Sequence, residues 1–346
     1  MPMLSAGPPI ETPRHPIGRR SLLLADSSRD GRLLGVDVWY PAAGAGDPLS
    51  VYSLMPGVEF ESAAAQHDVP AASGSFPLIV FSHGRTGMRF NYSLLCEALA
   101  ARGAIVVSPD HPGDVLTDWL MGQQADDRTN EVNRVGDAHF LIDQLTQAAA
   151  DGTAGVPADV AAAVDASRIA IVGHSYGAYT ALATAAGARG VPTHSRVGAI
   201  VGLQPYSRTL SDGALARIVT PTLLLLAELD QTTPAASDGD RPWALLGGTT
   251  WRLDLARAAH QAASDMGLYA ELAAHVPDLP DMVRQYLEYT ARDAVGEGLR
   301  PWRDTLAIHV AAISAFLDIT LDIDEVAGER AADALAAHAD VTLQRR

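Results

Sequence analysis

The chain has little of what would mark a secreted, nucleic-acid-binding or membrane-spanning protein. Among its 346 residues there is one cysteine, Cys96. An internal disulfide framework is therefore excluded, as suits a reducing compartment. Cys96 sits in the helix-like run L-L-C-E-A-L-A, where a buried structural thiol is expected. Positive charge is scarce: 25 basic residues stand against 41 acidic ones, a formal net charge of −16. That balance argues against nucleic acid and anionic membrane surfaces as partners. Long apolar runs are missing. The stretch 223–227 is among the longest, against the roughly 20 residues a membrane-crossing helix needs. The opening M-P-M-L-S-A-G-P-P-I-E-T-P has no charged start followed by an apolar segment, so no secretory leader is expected. The expectation is a soluble, cytoplasmic protein without stable membrane insertion. No internal repeat appears, nor a Pro/Gly linker that would split the chain.

What is present is ample apolar material, 48% of the residues, enough for a sizeable core. Short apolar runs at 78–82, 104–108, 169–172, 199–203, 222–227 and 251–255 read as strands. Segments 92–102, 130–150 and 178–188 between them carry helical spacing. Strands alternating with helices predict an α/β protein with a mostly parallel central sheet and helices on both faces. Residues 20–25 and 33–40, joined through Asp30-Gly31, predict a leading hairpin. Residues 41–74 have little periodicity and read as a long excursion. The expected organisation is a loose arm over 1–17, one domain over 18–323 and a tail over 324–346. Within the domain, 267–303 is helical but interrupted by prolines 277, 280 and 301, a candidate cap or insertion. A closing helix is expected over 307–319.

The stretch I-A-I-V-G-H-S-Y-G-A-Y-T, residues 169–180, organises the rest. A strand, then G-x-S-x-G, then a helix is the setting of a nucleophile elbow. The turn is tight enough to strain Ser175, and Gly173 and Gly177 flank it because a Cβ there would collide with neighbouring backbone. The following helix directs its positive end at the same point.

A serine hydroxyl needs a base to take its proton, and the base needs a carboxylate to fix its tautomer. In elbow proteins the chain order is Ser, acid, His. Asp230, in E-L-D-Q-T-T-P after the strand at 222–227, is the first choice of acid, with Glu228 as the alternative. Only His260, His275, His309 and His338 follow it, and only His260 comes in a loop directly after a strand. Two backbone amides must hold a developing oxyanion: that of Tyr176, after the nucleophile, and that of Arg85, in the loop F-S-H-G-R-T-G. Asp110-His111 lacks further metal-ligand spacing and reads as pocket wall or brace. Arg134 and Asp137, three apart on a helix, read as a surface or bracing pair. His174 is expected to pack beside the sheet. No cofactor and no metal are expected.

The motifs V-D-V-W-Y-P, P-L-I-V-F-S-H-G, S-P-D-H-P-G-D, G-H-S-Y-G-A-Y-T and H-Q-A-A-S-D, in that order, resemble an α/β-hydrolase branch. It is the branch of the platelet-activating-factor acetylhydrolases and dienelactone-hydrolase-like esterases, and the resemblance spans about residues 19–266. It implies an α/β-hydrolase fold, nucleophile Ser175, base His260, and oxyanion donors Arg85 and Tyr176. The E-L-D-Q-T-T-P loop is similar to the acid loop of cutinase-like polyester hydrolases, which implies Asp230. Two departures stand out. The place after the next strand, where the plasma acetylhydrolases keep their acid, holds Gln204, and dienelactone hydrolases use Cys where this chain has Ser175. The implied activity is carboxylic-ester hydrolysis of a small-molecule or polymeric ester. Amidase, thioesterase or C–C hydrolase chemistry on the same triad is the alternative, and a ligand receptor on this scaffold the non-catalytic one.

Overall fold

A computed structural model describes residues 3–10, 12–55, 58–151, 155–276 and 279–346. Parts of the expected arm, of the 41–74 excursion and of the candidate cap, including Pro277, lie outside the described residues. The strands are β1 Leu4–Ser5, β2 Ile17–Asp26, β3 Arg32–Pro41, β4 Leu49–Met55, β5 Val58–His67 and β6 Phe76–Ser82. They continue as β7 Ile105–Pro109, β8 Val164–His174, β9 Ala199–Leu203, β10 Thr222–Ala227, β11 Thr250–Leu255 and β12 Val341–Arg345. The helices are α1 Ser93–Ala101, α2 Leu116–Leu120, α3 Asp127–Asp151, α4 Ala158–Ala162, α5 Tyr176–Ala186 and α6 Asp212–Ala216. After them come α7 Asp240–Leu245, α8 Met266–Ala273, α9 Asp281–Val295, α10 Trp302–Thr320 and α11 Glu325–Ala336.

One sheet holds all these strands in the order β1-β5-β2-β3-β7-β6-β8-β9-β10-β11-β12, with β4 paired to β5. From β7 to β11 every neighbouring pair is parallel. β3 runs against both β2 and β7. The apolar runs of the central strands are continuous because both sheet faces are covered. Successive side chains point to opposite faces. Thus Ile79, Phe81, Ala170 and Val172 join a core with α1, α8, α10 and α11, while Leu78, Val80, Ile169 and Ile171 join one with α3, α4, α5 and α6. At the β2–β3 turn Asp30 and Gly31 both have positive φ, 53° and 71°, as the Asp-Gly signal requires.

Three segments differ from the sequence reading. Residues 324–346, expected as a tail, form α11 and then β12, which pairs antiparallel with β11 at the sheet edge. Within the expected arm, Leu4–Ser5 pairs with β5, and the Arg14 and His15 amides donate to the Ala101 carbonyl. The 41–74 excursion carries the β4–β5 pair, and β5 adds in parallel to β2. For β12, β1 and β5 the partners β11, β5 and β2 are distant in sequence, and such pairing outweighs weak local preference. The 267–303 stretch holds α8 and α9. All 25 basic side chains are arginines, so every ion pair that does not use histidine is a guanidinium–carboxylate pair.

Candidate active site

The site lies where the parallel strands end. β8 runs into Ser175, which has φ 53° and ψ −115°, a backbone conformation that a side-chain-bearing residue adopts only under strain. The surroundings leave no other path. A Cβ at Gly173 would sit 2.1 Å from the Gly177 carbonyl oxygen, and one at Gly177 1.9 Å from the Ser82 carbonyl oxygen. Both are backbone contacts that cannot yield. The Ser175 amide is tied to the Leu203 carbonyl at 2.9 Å, fixing the turn against β9.

Asp230 follows β10 and His260 follows β11, so neighbouring parallel strands deliver both to the same rim. His260 Nε2 lies 3.0 Å from Ser175 Oγ, and His260 Nδ1 lies 2.8 Å from Asp230 Oδ2. All three side chains are largely buried, 9%, 5% and 3% exposed for Ser175, His260 and Asp230. Asp230 is held by its own loop. Its Oδ1 accepts from the Thr232 and Thr233 amides, and the Thr233 hydroxyl lies 2.8 Å from Oδ2. Burial alone would raise the Asp230 pKa, but hydrogen bonding and charge from His260 and bonds from Thr233 bring it below the usual carboxylate value. Glu228, the alternative acid, is exposed and accepts from the Arg257 amide. His275 bonds the Glu271 carbonyl, His338 the Asp340 amide, and His309 the Thr305 carbonyl and Gln204.

The amides of Arg85 and Tyr176 have no hydrogen-bond partner among the described residues. Tyr176 opens α5, and the loop before Arg85 presses on Ser175: a Cβ at Gly84 would lie 3.5 Å from Ser175 Cβ. This loop is gripped from beneath by Arg134, which sequence reading placed in a pair with Asp137. Arg134 instead donates to Asp114 at 2.8 Å, to the His83 carbonyl at 2.8 Å and to the Gly84 carbonyl at 3.1 Å. Asp137 takes Arg32 and His111. His111 also meets Ser82 Oγ at 2.9 Å, and Asp110 pairs with Arg89. Both therefore brace. Burial, then the Arg134 charge, lower the His111 pKa to about 4, so its ring is neutral at pH 7.

His174 links the two halves of the site. Its Nε2 faces the His260 carbonyl at 2.7 Å and so donates, leaving Nδ1 to accept from the Tyr92 hydroxyl at 2.7 Å. The Tyr92 oxygen in turn receives the Gly84 amide at 3.4 Å. Burial, then the His260 charge, drive the His174 pKa down to about 3. Sequence reading gave no role to Tyr92, Asp114 or Thr233. Two of them left a signal, Thr233 within the acid loop and Asp114 at the end of the S-P-D-H-P-G-D motif.

Beside the site is a cavity of about 480 Å³ between α2 and α9, bordered by Arg85 and Gln261. A second, of about 520 Å³, lies between α8 and α9 and borders none of Ser175, Asp230, His260, Arg85 and Tyr176. Among the described residues no group of three or more His, Cys, Asp or Glu side chains is placed to hold a metal ion, and no helix is long and apolar enough to cross a membrane.

A sequence model of the family described as Chlorophyllase matches residues 66–222, just under half of the chain. Two curated relatives, the chlorophyllase-1, chloroplastic, proteins of Citrus sinensis and Citrus unshiu, are each 29% identical over 171 residues. That alignment covers 49% of this chain and 44% of each relative, so the chain spans less than half the length of the curated relatives it matches. Among solved structures, a ferulic acid esterase from Streptomyces cinnamoneus aligns over 99% of both chains with a TM-score of 0.69 at 23% identity. Strand order, elbow and this likeness define an α/β-hydrolase fold.

Proposed function

We propose that the chain is a serine carboxylic-ester hydrolase working through an acyl-enzyme. His260 takes the proton of Ser175 as its oxygen attacks the ester carbonyl. The amides of Arg85 and Tyr176 receive the resulting oxyanion, where preorganised donors act without reorganising. His260 then gives the proton to the departing alcohol. A water deprotonated by the same imidazole hydrolyses the acyl-enzyme and restores Ser175. Asp230 keeps the Nδ1 proton of His260 in place and stabilises the imidazolium while it lasts. Its lowered pKa keeps it anionic through that step. No cofactor takes part in this scheme.

The observation that carries the reading is the unbroken relay Ser175–His260–Asp230 at 3.0 and 2.8 Å, with its nucleophile on a strained elbow. The resemblance to the Chlorophyllase family and to a ferulic acid esterase supports it. The test is covalent labelling of the full chain by a fluorophosphonate, with hydrolysis of short methyl esters followed by pH-stat. Ser175→Ala should abolish labelling, and Ser175→Ala or His260→Ala should lower turnover by about 10⁶. A chain that neither reacts with the probe nor cleaves any ester would end this reading.

A further inference from the structure

The cavity between α2 and α9 lies beside the proposed reacting centre. Arg85 carries a proposed oxyanion donor and Gln261 follows the proposed base, and both line it. The volume, about 480 Å³, lies within the range of small-molecule sites.

Its lining has an unusual chemistry for this chain. Only 6% of the residues are Phe, Trp or Tyr, yet Trp119 of α2 and Tyr286 and Tyr289 of α9 all border this one cavity. The Trp119 and Tyr286 rings lie 6.5 Å apart, tilted by 37°. Trp119 remains 48% exposed and Tyr289 72%. Large apolar surface gathered at a concave mouth marks a binding site rather than a core. Among the described residues no Asp or Glu lines the cavity, although the chain carries a net charge of −16. The carboxamides of Gln261 and Gln285 border it too, and neither has a hydrogen-bond partner among the described residues. Ring faces favour flat π-systems by offset and edge contacts. Free carboxamides offer both donors and acceptors to polar groups on such a ring.

We propose that this cavity binds an aromatic ring bearing hydrogen-bonding substituents, carried on one arm of the ester. This rests on the hydrolase reading above. Ring-bearing esters are then the substrate class, and the 267–303 excursion supplies through α9 the wall that selects them.

The test compares the full chain on two series. Methyl esters of 6-hydroxy-2-naphthoic and decanoic acids probe the acyl arm, and acetates of 2-naphthol and decanol probe the other. In at least one series kcat/KM should favour the ring by about tenfold or more, and Trp119→Ala should cut that preference about tenfold, mainly through KM. Tyr289→Ala gives the same readout at a more exposed position should the Trp119 variant fail to fold. Equal kcat/KM for ring and chain in both series, or a preference that survives both variants, overturns the proposal while leaving the hydrolase reading in place. If no ester is cleaved and the phosphonate does not label, the hydrolase reading itself has failed. Calorimetry of methyl 6-hydroxy-2-naphthoate binding to Ser175→Ala then tests the cavity alone. Binding that weakens about tenfold on adding Trp119→Ala supports the cavity assignment, and binding that is absent or unchanged overturns it.

Discussion

Arg134→Met isolates the brace beneath the proposed oxyanion loop. The Arg134 side chain is 0% exposed, and that of Asp114 is 1% exposed. Methionine fills much of the same space but removes the charge and every donor. Asp114 is then a buried carboxylate without its cation, and the His83 and Gly84 carbonyls lose the N–H groups at 2.8 and 3.1 Å. Removing one partner of such a buried pair costs about 3–5 kcal/mol, a large part of the roughly 5–15 kcal/mol that holds a domain folded. The loss also reaches chemistry. Asp114 accepts the Thr86 amide at 3.3 Å, so the pair fixes the chain on both sides of Arg85. A misdirected Arg85 amide should lower kcat by about 10²–10³. Urea unfolding followed by circular dichroism gives the first quantity, and turnover of a short methyl ester the second. Asp114→Asn alone leaves a buried guanidinium unpaired. The double variant should therefore be more stable than the sum of the two losses predicts, by about 1–3 kcal/mol. If Arg134→Met unfolds within about 0.5 kcal/mol of the parent at unchanged kcat, or if the two losses simply add, the brace is not what sets this loop.

Asp230→Asn should lower turnover by about 10⁴ with little effect on the unfolding midpoint; a near-normal rate would return the role to Glu228. Gly177→Ala places a Cβ 1.9 Å from the Ser82 carbonyl oxygen. It should cost more than about 4 kcal/mol, and a soluble variant with parental stability would contradict the packing argument. The buried rings of His111, His174 and His309 have pKa values lowered to about 4, about 3 and about 4. Below the unfolded value of 6.5 the unfolded chain binds protons that the folded chain refuses. Stability present above that value should fall as pH drops from 6.5 towards 4, on the order of 1 kcal/mol per pH unit and ring. Burial raises Asp265 to about 7, which has the opposite sign, since its neutral folded form favours folding less as pH rises towards 7. Urea midpoints between pH 5 and 7.5 should therefore fall with acid, and more steeply for Asp265→Asn; a flat or rising profile in acid counts against these assignments.

Local chemistry reveals some of this molecule and hides the rest. Ser175, Asp230 and His260 each follow an apolar run, so each could be placed at a strand end from composition alone. Parallel pairing of β8, β9, β10 and β11 then makes those ends neighbours. Residues 341–345 read V-T-L-Q-R and have no such mark. They become a strand because β11 offers an unpaired edge, a fact located almost ninety residues earlier. β5 contains S-A-A-A, poor strand formers, and is extended by its partners rather than by preference. Arg134 and Asp137 share one helix face at a spacing that suggests mutual pairing. That face is packed against the strand ends, where Asp114, His111 and Arg32 compete for them. Spacing along α3 cannot report groups brought in from other segments. Nor could the role of His174 be read without knowing that Tyr92 lies beside it.

The arginine-only cation set has a practical consequence. With no lysine in the sequence, reagents that acylate primary amines find no side chain to modify. A lysine introduced by Val219→Lys, at a position 71% exposed, would be the sole ε-amine. Val219 comes just before β10, at the opposite end of the strands from Ser175, Asp230 and His260. A dye or a solid support coupled through that side chain would be held at one known point, with the mouth of the cleft facing away from the anchor, the α-amine being the competing primary amine.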